Sequence, residues 1–297
     1  NFVAFRGDSG KIGFMDERCP HRSASMALAR NEDDSLRCIF HGWKINMVGK
    51  VTDTPCEPAH TREAFAATIK TRVFPAREAG GMVWVYLGKK TTPPAFPEFE
   101  FNTLPASHVH FRRAELHYNW LQGLEAHLDA AHLGVLHSGF NSKDNPQLAL
   151  AMADKSPKME MDVTPYGLRE GALRDQGDGN VYSRIRQIVL PFFTFIPFGP
   201  DAPCSGRATV PIDDEYDAEW YILYDPNKPL SQKAIDDLLK GASDDPDNFA
   251  ANLGSVANMW TQDRGAMKNG HFSGLQRNIP LEDFTVQESM GPVTDSQ

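Results

Sequence analysis

The chain has 297 residues, of which 41% are hydrophobic and 23% charged, a composition typical of folded globular proteins. This composition excludes a disordered tail, a collagen-like fibre and a disulfide-rich scaffold. A net charge of −9, from 30 basic and 39 acidic residues, argues against a nucleic acid or an anionic membrane as a partner. No segment contains the roughly 18 consecutive apolar residues that a membrane span requires.

The first part of the chain reads as short strands and turns. Residues 1–5 and 12–15 flank a turn rich in Asp, Ser and Gly, which is the pattern of a β-hairpin. A further strand is predicted over residues 82–87, after two glycines. Residues 89–97 then contain three prolines and interrupt all periodicity. We therefore predict two domains, at 1–92 and 93–297.

The ends of the chain and its cysteines bear on location. The sequence opens inside the first predicted strand, without an initiator Met, so we expect a fragment that lacks its first strands. It shows no signal peptide. Four scattered cysteines are more usual in a reducing compartment than in a secreted protein. We therefore expect a cytoplasmic protein.

Helical and strand patterns are mixed in the second part. Ser231 is suited to cap a helix whose apolar face is formed by Ile235, Leu238 and Leu239. The composition predicts helices over 118–134, 231–240 and 249–267, and strands over 184–198 and 219–224.

Two cysteine–histidine pairs stand in the first domain. Cys19 and His21 form C-x-H, and Cys38 and His41 form C-x-x-H. Such ligands can hold zinc, or a [2Fe–2S] cluster in which two histidines replace two cysteines on one iron. The C-x-H spacing favours the cluster, because each loop can give one sulfur to one iron and one nitrogen to the other. Structural zinc sites more often pair like ligands. The remaining alternative is two buried cysteines and two unrelated histidines.

A second group of polar residues lies at the predicted helix over 118–134. His132 and His137 form an H-x₄-H pair with Asp129 upstream, which is part of a 2-His-1-carboxylate Fe(II) site with positions open for O₂. In a helix, Glu125, Asp129 and His132 share one face. His137 can join them only if the helix ends or distorts, which Gly134 permits. The alternative is one buried and one surface histidine.

Longer motifs resemble a known family. Arg-Cys-Pro-His-Arg at 18–22 and Cys-Ile-Phe-His-Gly-Trp-Lys at 38–44 resemble the two loops of Rieske iron–sulfur domains. The D-x₂-H-x₄-H pattern downstream resembles the terminal oxygenase α-subunits of Rieske non-haem iron aromatic ring-hydroxylating oxygenases. Segments such as 80–86 and 288–292 resemble the phthalate-dioxygenase-like branch, and the resemblance covers nearly the whole chain. It implies an α+β fold, with an all-β Rieske domain followed by a helix-grip catalytic domain built on an antiparallel sheet.

The resemblance assigns the residues of the first group. Cys19 and Cys38 would bind one iron of a [2Fe–2S] cluster, and His21 and His41 the other. The cluster would store and pass on an electron without making or breaking bonds to substrate.

The resemblance also assigns the second group. His132 and His137 become ligands of a mononuclear Fe(II), and Asp129 becomes a carboxylate that bridges this site to a Rieske histidine. In the family that histidine belongs to the neighbouring subunit of a trimer, so His41 of one chain would pair with Asp129 of the next. Glu125 receives no role.

The family takes its third iron ligand from a helix near the C-terminus. Asp263 and Asp283 are the candidates. We prefer Asp283, because an acidic residue followed by x-x-V-x-E resembles the closing helix of the branch. Asp263 beside Arg264 is expected to form a surface ion pair instead.

The predicted strand over 184–198 supplies the candidate substrate contacts. Arg184 and Arg186 alternate with apolar residues, and a guanidinium group could bind a substrate carboxylate, although solvation at the surface is the simpler interpretation. Some of its apolar side chains could line a pocket for an aromatic ring, although ordinary core packing is the simpler expectation; these are Ile185, Ile188, Leu190, Phe192 and Phe195.

The expected function is O₂ activation at a mononuclear Fe(II), to hydroxylate an aromatic substrate that is expected to carry a carboxylate. Electrons would come from NAD(P)H through a flavin and iron–sulfur reductase or a ferredoxin. We expect a dioxygenase that assembles as a homotrimer or a multiple of trimers. The alternatives are a Rieske monooxygenase or O-demethylase of methoxy-aromatics, and a Rieske electron carrier without a mononuclear iron.

Overall fold

The computed structural model describes residues 1–139, 146–199, 201–243, 245, 247–251, 253–276 and 278–294. The chain forms two compact units, Asn1–Leu104 and Pro105–Gln297. The domain boundary between residues 92 and 93 stays a prediction. None of the helices in the described part of the chain has the length and apolar character needed to cross a membrane.

The first unit, all of whose residues are described, consists mainly of short antiparallel strands. β1 pairs with β2, β3 to β6 form a four-stranded sheet in that order, and β7 pairs with β8. The elements are β1 (Phe2–Arg6), β2 (Ile12–Asp16), β3 (Arg30–Glu32), β4 (Ser35–Arg37), β5 (Lys44–Asn46), β6 (Val51–Asp53), α1 (Arg62–Thr68), β7 (Ala76–Ala79) and β8 (Met82–Val85). The predicted hairpin and the strand near residue 82 are confirmed, and the short helix α1 packs against β6.

The core of the first unit includes both cysteines of the first group. Cys19 and Cys38 are 2% and 3% exposed, and they belong to the same apolar cluster as Met15, Trp43 and Ile45. The loops that follow β2 and β4 are therefore fixed by burial of their cysteines in the core.

The second unit contains a seven-stranded sheet with the order β10-β11-β12-β13-β14-β15-β9, in which all neighbours are antiparallel. Its strands are β9 (Val109–Leu116), β10 (Lys158–Thr164), β11 (Gly167–Asp175), β12 (Val181–Val189), β13 (Phe193–Ile196), β14 (Cys204–Pro211) and β15 (Asp217–Tyr224). The helices are α2 (Trp120–Leu128), α3 (Pro146–Ala153), α4 (Gln232–Leu238), α5 (Arg264–Lys268) and α6 (Ile279–Ser289). The predicted α+β architecture with a large antiparallel sheet is confirmed.

Helices cover one part of this sheet. α2 packs against β13, β14 and α6. Leu281 and Phe284 of α6 are buried in a cluster with Tyr221 of β15, whose ring meets Phe284 edge to face at 5.9 Å between centroids. This packing fixes the position of residues 282 and 283 over the sheet.

Three sequence predictions for this unit are wrong in detail. The helix predicted over 118–134 ends at Leu128, and Asp129 is its C-cap. The strand predicted over 184–198 is two strands, β12 and β13, joined by a turn at residues 190–192. The long helix predicted over 249–267, whose residue 252 lies outside the described residues, is interrupted, because Met259, Trp260 and Thr261 all have positive φ angles.

Two other predictions are confirmed. The strand predicted over 219–224 is β15. Ser231 caps α4, since its side chain accepts a hydrogen bond from the backbone N–H of Ala234.

Candidate functional site

The first candidate site lies in two tight loops of the first unit. The N–H of Ser23 donates to the carbonyl of Cys19, and the N–H of Gly42 donates to the carbonyl of Cys38, both at 2.9 Å. Gly42 has a φ of +75°, a conformation that favours glycine. Each cysteine therefore begins a closed turn that also carries the histidine of its pair.

The loops bring both pairs together. The rings of His21 and His41 lie 4.5 Å apart between centroids, and His21 stacks on Trp43 at 4.6 Å. Burial raises the pKa of the Cys19 thiol, and the neighbouring Cys38 raises it further, since two thiolates would repel one another. The structure thus places sulfur beside sulfur and imidazole beside imidazole.

The arrangement fits two metal ions better than one. A single zinc ion requires its ligand atoms to converge on one point. Among the described residues, three ligand atoms of His, Cys, Asp or Glu lie within 4.8 Å of one another only in a group of the second unit. Cys19, His21, Cys38 and His41 are not part of that group. Like ligands in pairs, with sulfur separated from nitrogen, match a [2Fe–2S] cluster with two ligands on each iron.

The second candidate site begins where α2 ends. The N–H of Asp129 donates to the carbonyl of Glu125 at 3.1 Å, which closes the last turn of the helix. The Asp129 carboxylate accepts from the N–H of Ala131 at 2.8 Å and lies 3.1 Å from Nδ1 of His132. Asp129 and His132 are close to each other, as predicted. The reason given for this was wrong, because the two residues meet through the capping turn and do not share a face of a helix.

His132 and His137 reach a common point because the chain between them is irregular. His132–Gly134 is a 3₁₀ turn, and the N–H groups of Val135 and Leu136 both donate to the carbonyl of His132. Gly134 has no positive φ, but a Cβ there would lie 3.1 Å from the carbonyl oxygen of Met152, so the glycine permits close packing rather than a distorted helix.

Asp283 completes a set of three ligand atoms. Its Oδ1 lies 2.9 Å from Nε2 of His137 and 3.6 Å from Nε2 of His132, and the three ligand atoms lie within 4.8 Å of one another. Asp263 is not part of this set. It is the N-cap of α5, where it accepts from the N–H groups of Gly265 and Ala266, so the expected ion pair with Arg264 is replaced by capping.

Carboxylates hold the other nitrogen of each ring. Nδ1 of His137 lies 2.7 Å from Oε2 of Glu282, and Nδ1 of His132 lies 3.1 Å from Asp129. The hydroxyl of Ser273 donates in turn to Glu282. Sequence reasoning missed Glu282, although its place beside Asp283 could have indicated it. Two Nε2 atoms and the Asp283 carboxylate converge, and two further carboxylates lie behind the rings; this is the donor set of a facial iron site, so the residues fit that ion.

The charges of this group affect one another. Burial opposes protonation of His137, but hydrogen bonds with Asp283 and Glu282 raise its pKa to about 9. The hydrogen bond from His132 lowers the pKa of Asp129 to about 2. The site therefore concentrates negative charge around two imidazoles, as a divalent cation requires.

A narrow cavity opens beside these ligands, and it contains both candidate arginines. Arg184 and Arg186 are 6% and 3% exposed, so the expectation of surface solvation is wrong. The same cavity is lined by His127 and Arg207, to which sequence reasoning gave no role. The apolar part of its wall is formed by Leu133, Leu148, Ile196, Phe198 and Ile279, and none of the five apolar residues considered from the sequence lines it.

Comparisons with known proteins agree with this geometry. Residues 1–75 match the Rieske [2Fe-2S] domain family, and residues 85–297 match a family described as LigXa C-terminal domain like. The phthalate 4,5-dioxygenase oxygenase subunit of Pseudomonas putida is 33% identical over 99% of this chain and 69% of its own length. The chain belongs to the Rieske oxygenase family. Oxygenase subunits of this family carry a Rieske cluster and a mononuclear iron.

Other relatives differ in reaction. The 3-chlorobenzoate-3,4-dioxygenase oxygenase subunit of Comamonas testosteroni is 32% identical over 99% of this chain and 71% of its own length. The 5,5'-dehydrodivanillate O-demethylase oxygenase subunit of Sphingobium sp. (strain NBRC 103272 / SYK-6) is 29% identical over 79% of this chain and 55% of its own length. A solved complex between oxygenase and ferredoxin in carbazole 1,9a-dioxygenase shares the fold, with a TM-score of 0.54, 18% identity, and coverage of 98% of this chain and 74% of that one.

Proposed function

We propose that this chain is the terminal oxygenase component of a Rieske aromatic oxygenase, and that it hydroxylates an aromatic carboxylate. The observation that carries the proposal is the convergence of two Nε2 atoms on Asp283, while carboxylates hold both Nδ1 atoms. When bound there, Fe(II) would supply redox chemistry toward O₂. The protein residues hold the ring orientations and leave one side of the site open to the cavity.

The first group of ligands serves electron storage in this proposal. Cys19 and Cys38 bind one iron of the cluster, and His21 and His41 bind the other. The proximity of each like pair supports this assignment.

Asp129 is proposed to connect the two centres. Its carboxylate contacts His132 and remains 50% exposed, so one side can accept a further hydrogen bond. We propose that His41 of a neighbouring subunit donates this bond in a trimer. A carboxylate between two imidazole rings orients both of them.

The substrate is proposed to be an aromatic carboxylate because the cavity combines buried guanidinium groups with an apolar wall. Arg184 and Arg186 are assigned to the polar side, and Ile196 and Phe198 to the ring. The names of two relatives, acting on phthalate and 3-chlorobenzoate, support this class.

Electrons are proposed to come from NAD(P)H through a separate flavin and iron–sulfur reductase or a ferredoxin. The ferredoxin complex formed by a protein of the same fold supports a docked electron donor. The cytoplasmic location stays a prediction.

Isotope labelling tests the reaction. With ¹⁸O₂, two labelled oxygens in the product mean dioxygenation, which we expect. One labelled oxygen, or release of formaldehyde from a methoxy-aromatic, would establish the monooxygenase or O-demethylase alternative that the demethylase relative favours.

Iron analysis tests the second metal centre. The two ligand sets predict about three iron atoms per chain for an oxygenase and about two for an electron carrier. Only two iron atoms per chain, in folded protein that shows the red colour of the cluster and has been reconstituted with Fe(II), would contradict the oxygenase proposal.

A further inference from the structure

Three guanidinium groups reach the wall of the cavity. Arg184, Arg186 and Arg207 are 6%, 3% and 5% exposed. A buried cation is strongly destabilised unless an anion lies close to it. The identity of the anion near each arginine therefore decides how many substrate carboxylates the cavity can bind.

Two of the three arginines have carboxylates of the protein beside them. Arg186 lies 3.6 Å from Oε2 of Glu170, and Arg207 lies 3.6 Å from Oε1 of Glu219. Both glutamates are almost fully buried, with side chains 0% and 1% exposed. Little water separates these pairs, so their attraction is stronger than that of a surface ion pair.

Glu219 is held as an anion by several donors. The hydroxyl of Thr209 donates to Oε2 at 2.9 Å, and Nε2 of His127 lies 3.0 Å from Oε1. Burial opposes ionisation of Glu219, but His127, Arg207 and Thr209 together lower its pKa below the usual value. The positive charge of Arg207 is thus balanced by the carboxylate of Glu219 on the neighbouring strand.

Arg184 differs from the other two. Its Nε donates to the carbonyl of Pro197 at 2.8 Å, and its guanidinium lies 5.6 Å from the centre of the Phe198 ring. Within the described ranges no carboxylate oxygen lies within 4.0 Å of it. Burial lowers the pKa of Arg184 to about 10 and also lowers that of Arg186, while it raises the pKa of Glu170; Tyr221 and Glu219 raise the pKa of Arg207 despite its burial. Arg184 is set apart by geometry, since a carboxylate lies 3.6 Å from each of the other two arginines. Of the three cavity arginines, Arg184 is therefore the one that a substrate anion can pair with directly.

We propose that Glu170 and Glu219 are specificity-determining residues, because they neutralise Arg186 and Arg207 and leave Arg184 as the single receptor for a substrate carboxylate. The inference rests on the proposed function and narrows it to substrates with one carboxylate. A second carboxylate at Arg207 would face the negative charge of Glu219, and like charges in a dry cavity repel strongly.

Equilibrium binding to the iron-loaded full chain tests this inference. The probes are benzoate and the three benzenedicarboxylate isomers, measured by isothermal titration calorimetry. We expect benzoate to bind at least about tenfold more tightly than any dicarboxylate, and Arg184→Gln to weaken benzoate binding by about tenfold or more. An unchanged benzoate affinity in Arg184→Gln would overturn the assignment of the receptor.

The glutamates are tested by charge removal at constant shape. Glu219→Gln should free Arg207 and improve the affinity for at least one dicarboxylate relative to benzoate by about tenfold, and Glu170→Gln should do the same through Arg186. Thr209→Val removes a hydrogen bond from Glu219 but no charge, so the ratio of affinities should change by less than about twofold. If Glu219→Gln does not fold, Glu170→Gln decides the question.

Several results would refute the inference. One is a dicarboxylate that binds the unaltered chain as tightly as benzoate. Another is a ratio of dicarboxylate to benzoate affinity that neither Glu219→Gln nor Glu170→Gln changes. The third is a change in this ratio in Thr209→Val as large as that in the glutamine variants. None of these measurements requires turnover. A chain that prefers benzoate but never incorporates oxygen contradicts the proposed function and leaves the specificity inference standing.

Discussion

Glu282 and His137 form a buried pair in which Oε2 of the carboxylate lies 2.7 Å from Nδ1 of the ring. The residue after Glu282 is Asp283, whose Oδ1 lies 2.9 Å from Nε2 of the same ring. Two consecutive residues of α6 therefore hold both nitrogens of one histidine. Such a ring cannot rotate about its χ2 angle without breaking both contacts, so its Nε2 is presented to the site in one orientation.

Glu282→Gln should weaken iron binding at the second site by about 10- to 100-fold, because the amide no longer orients His137 as a carboxylate does. Iron affinity is measured by competition with a chelator. Glu288→Gln is the matched control on the same helix, since that carboxylate instead accepts the N–H of His117. Equal iron affinities in both variants would contradict the orienting role of Glu282.

Asp129→Ala should retain the [2Fe–2S] absorption and, at saturating Fe(II), the mononuclear iron. Turnover should collapse, because the variant removes the carboxylate proposed to connect the centres but leaves all ligand atoms intact. Iron content, absorption spectra and product formation are measured on the same preparation. Turnover at the rate of the unaltered chain would refute the connecting role.

Cys38→Ser should abolish the cluster, because the serine hydroxyl is a much poorer ligand of the cluster iron than the cysteine thiolate. The visible absorption of the purified protein and its content of inorganic sulfide report the loss. Cys56→Ser is the matched control, because Cys56 is exposed whereas Cys38 is 3% exposed. A cluster that survives in Cys38→Ser would remove this residue from the ligand set.

Asp217→Asn should change how stability depends on pH. The Asp217 side chain is fully buried, and burial together with Glu219 raises its pKa to about 9. In the unfolded chain the group ionises near pH 3.9, so between about pH 4 and 9 the unfolded state binds fewer protons and the folded state loses stability as pH rises. The Asn variant lacks this loss.

Urea denaturation at pH 5.5 and pH 8 measures this effect. The free energy of unfolding of the unaltered chain should fall relative to that of Asp217→Asn by a few kcal/mol, at about 1.4 kcal/mol per pH unit. Asp214→Asn, an exposed position in the turn before β15, should follow the unaltered chain. A constant difference between Asp217→Asn and the unaltered chain at both pH values would show that Asp217 is ionised in the folded state.

Ligand residues that lie close together in the sequence could be predicted from their spacing alone. The pairs Cys19–His21 and Cys38–His41 are separated by only one or two residues, and a tight loop holds each pair whatever surrounds it. His132 and Asp129 are also local, and the capping turn brings them together even though the predicted helix has already ended. β-branched and aromatic composition predicted strands over 184–198 and 219–224, whereas the antiparallel sheet was expected from the family resemblance.

Long-range partners explain what the sequence did not predict. Arg184 and Arg186 alternate with apolar residues and looked solvated, because the carboxylate beside Arg186 comes from Glu170 on a neighbouring strand. Glu282 lies 145 residues from the histidine it contacts. The failed helix over 249–267 has a local cause, since three successive left-handed residues interrupt it and helical composition does not reveal them.

The two histidines of the iron site differ in access to water. The side chain of His137 is fully buried, whereas those of His132 and Asp283 are 27% and 23% exposed. An iron ion held by these three ligands would have its open side toward His132 and Asp283. We therefore expect a chelator to reach the ion from that side, and a substrate bound in the adjoining cavity to slow its removal.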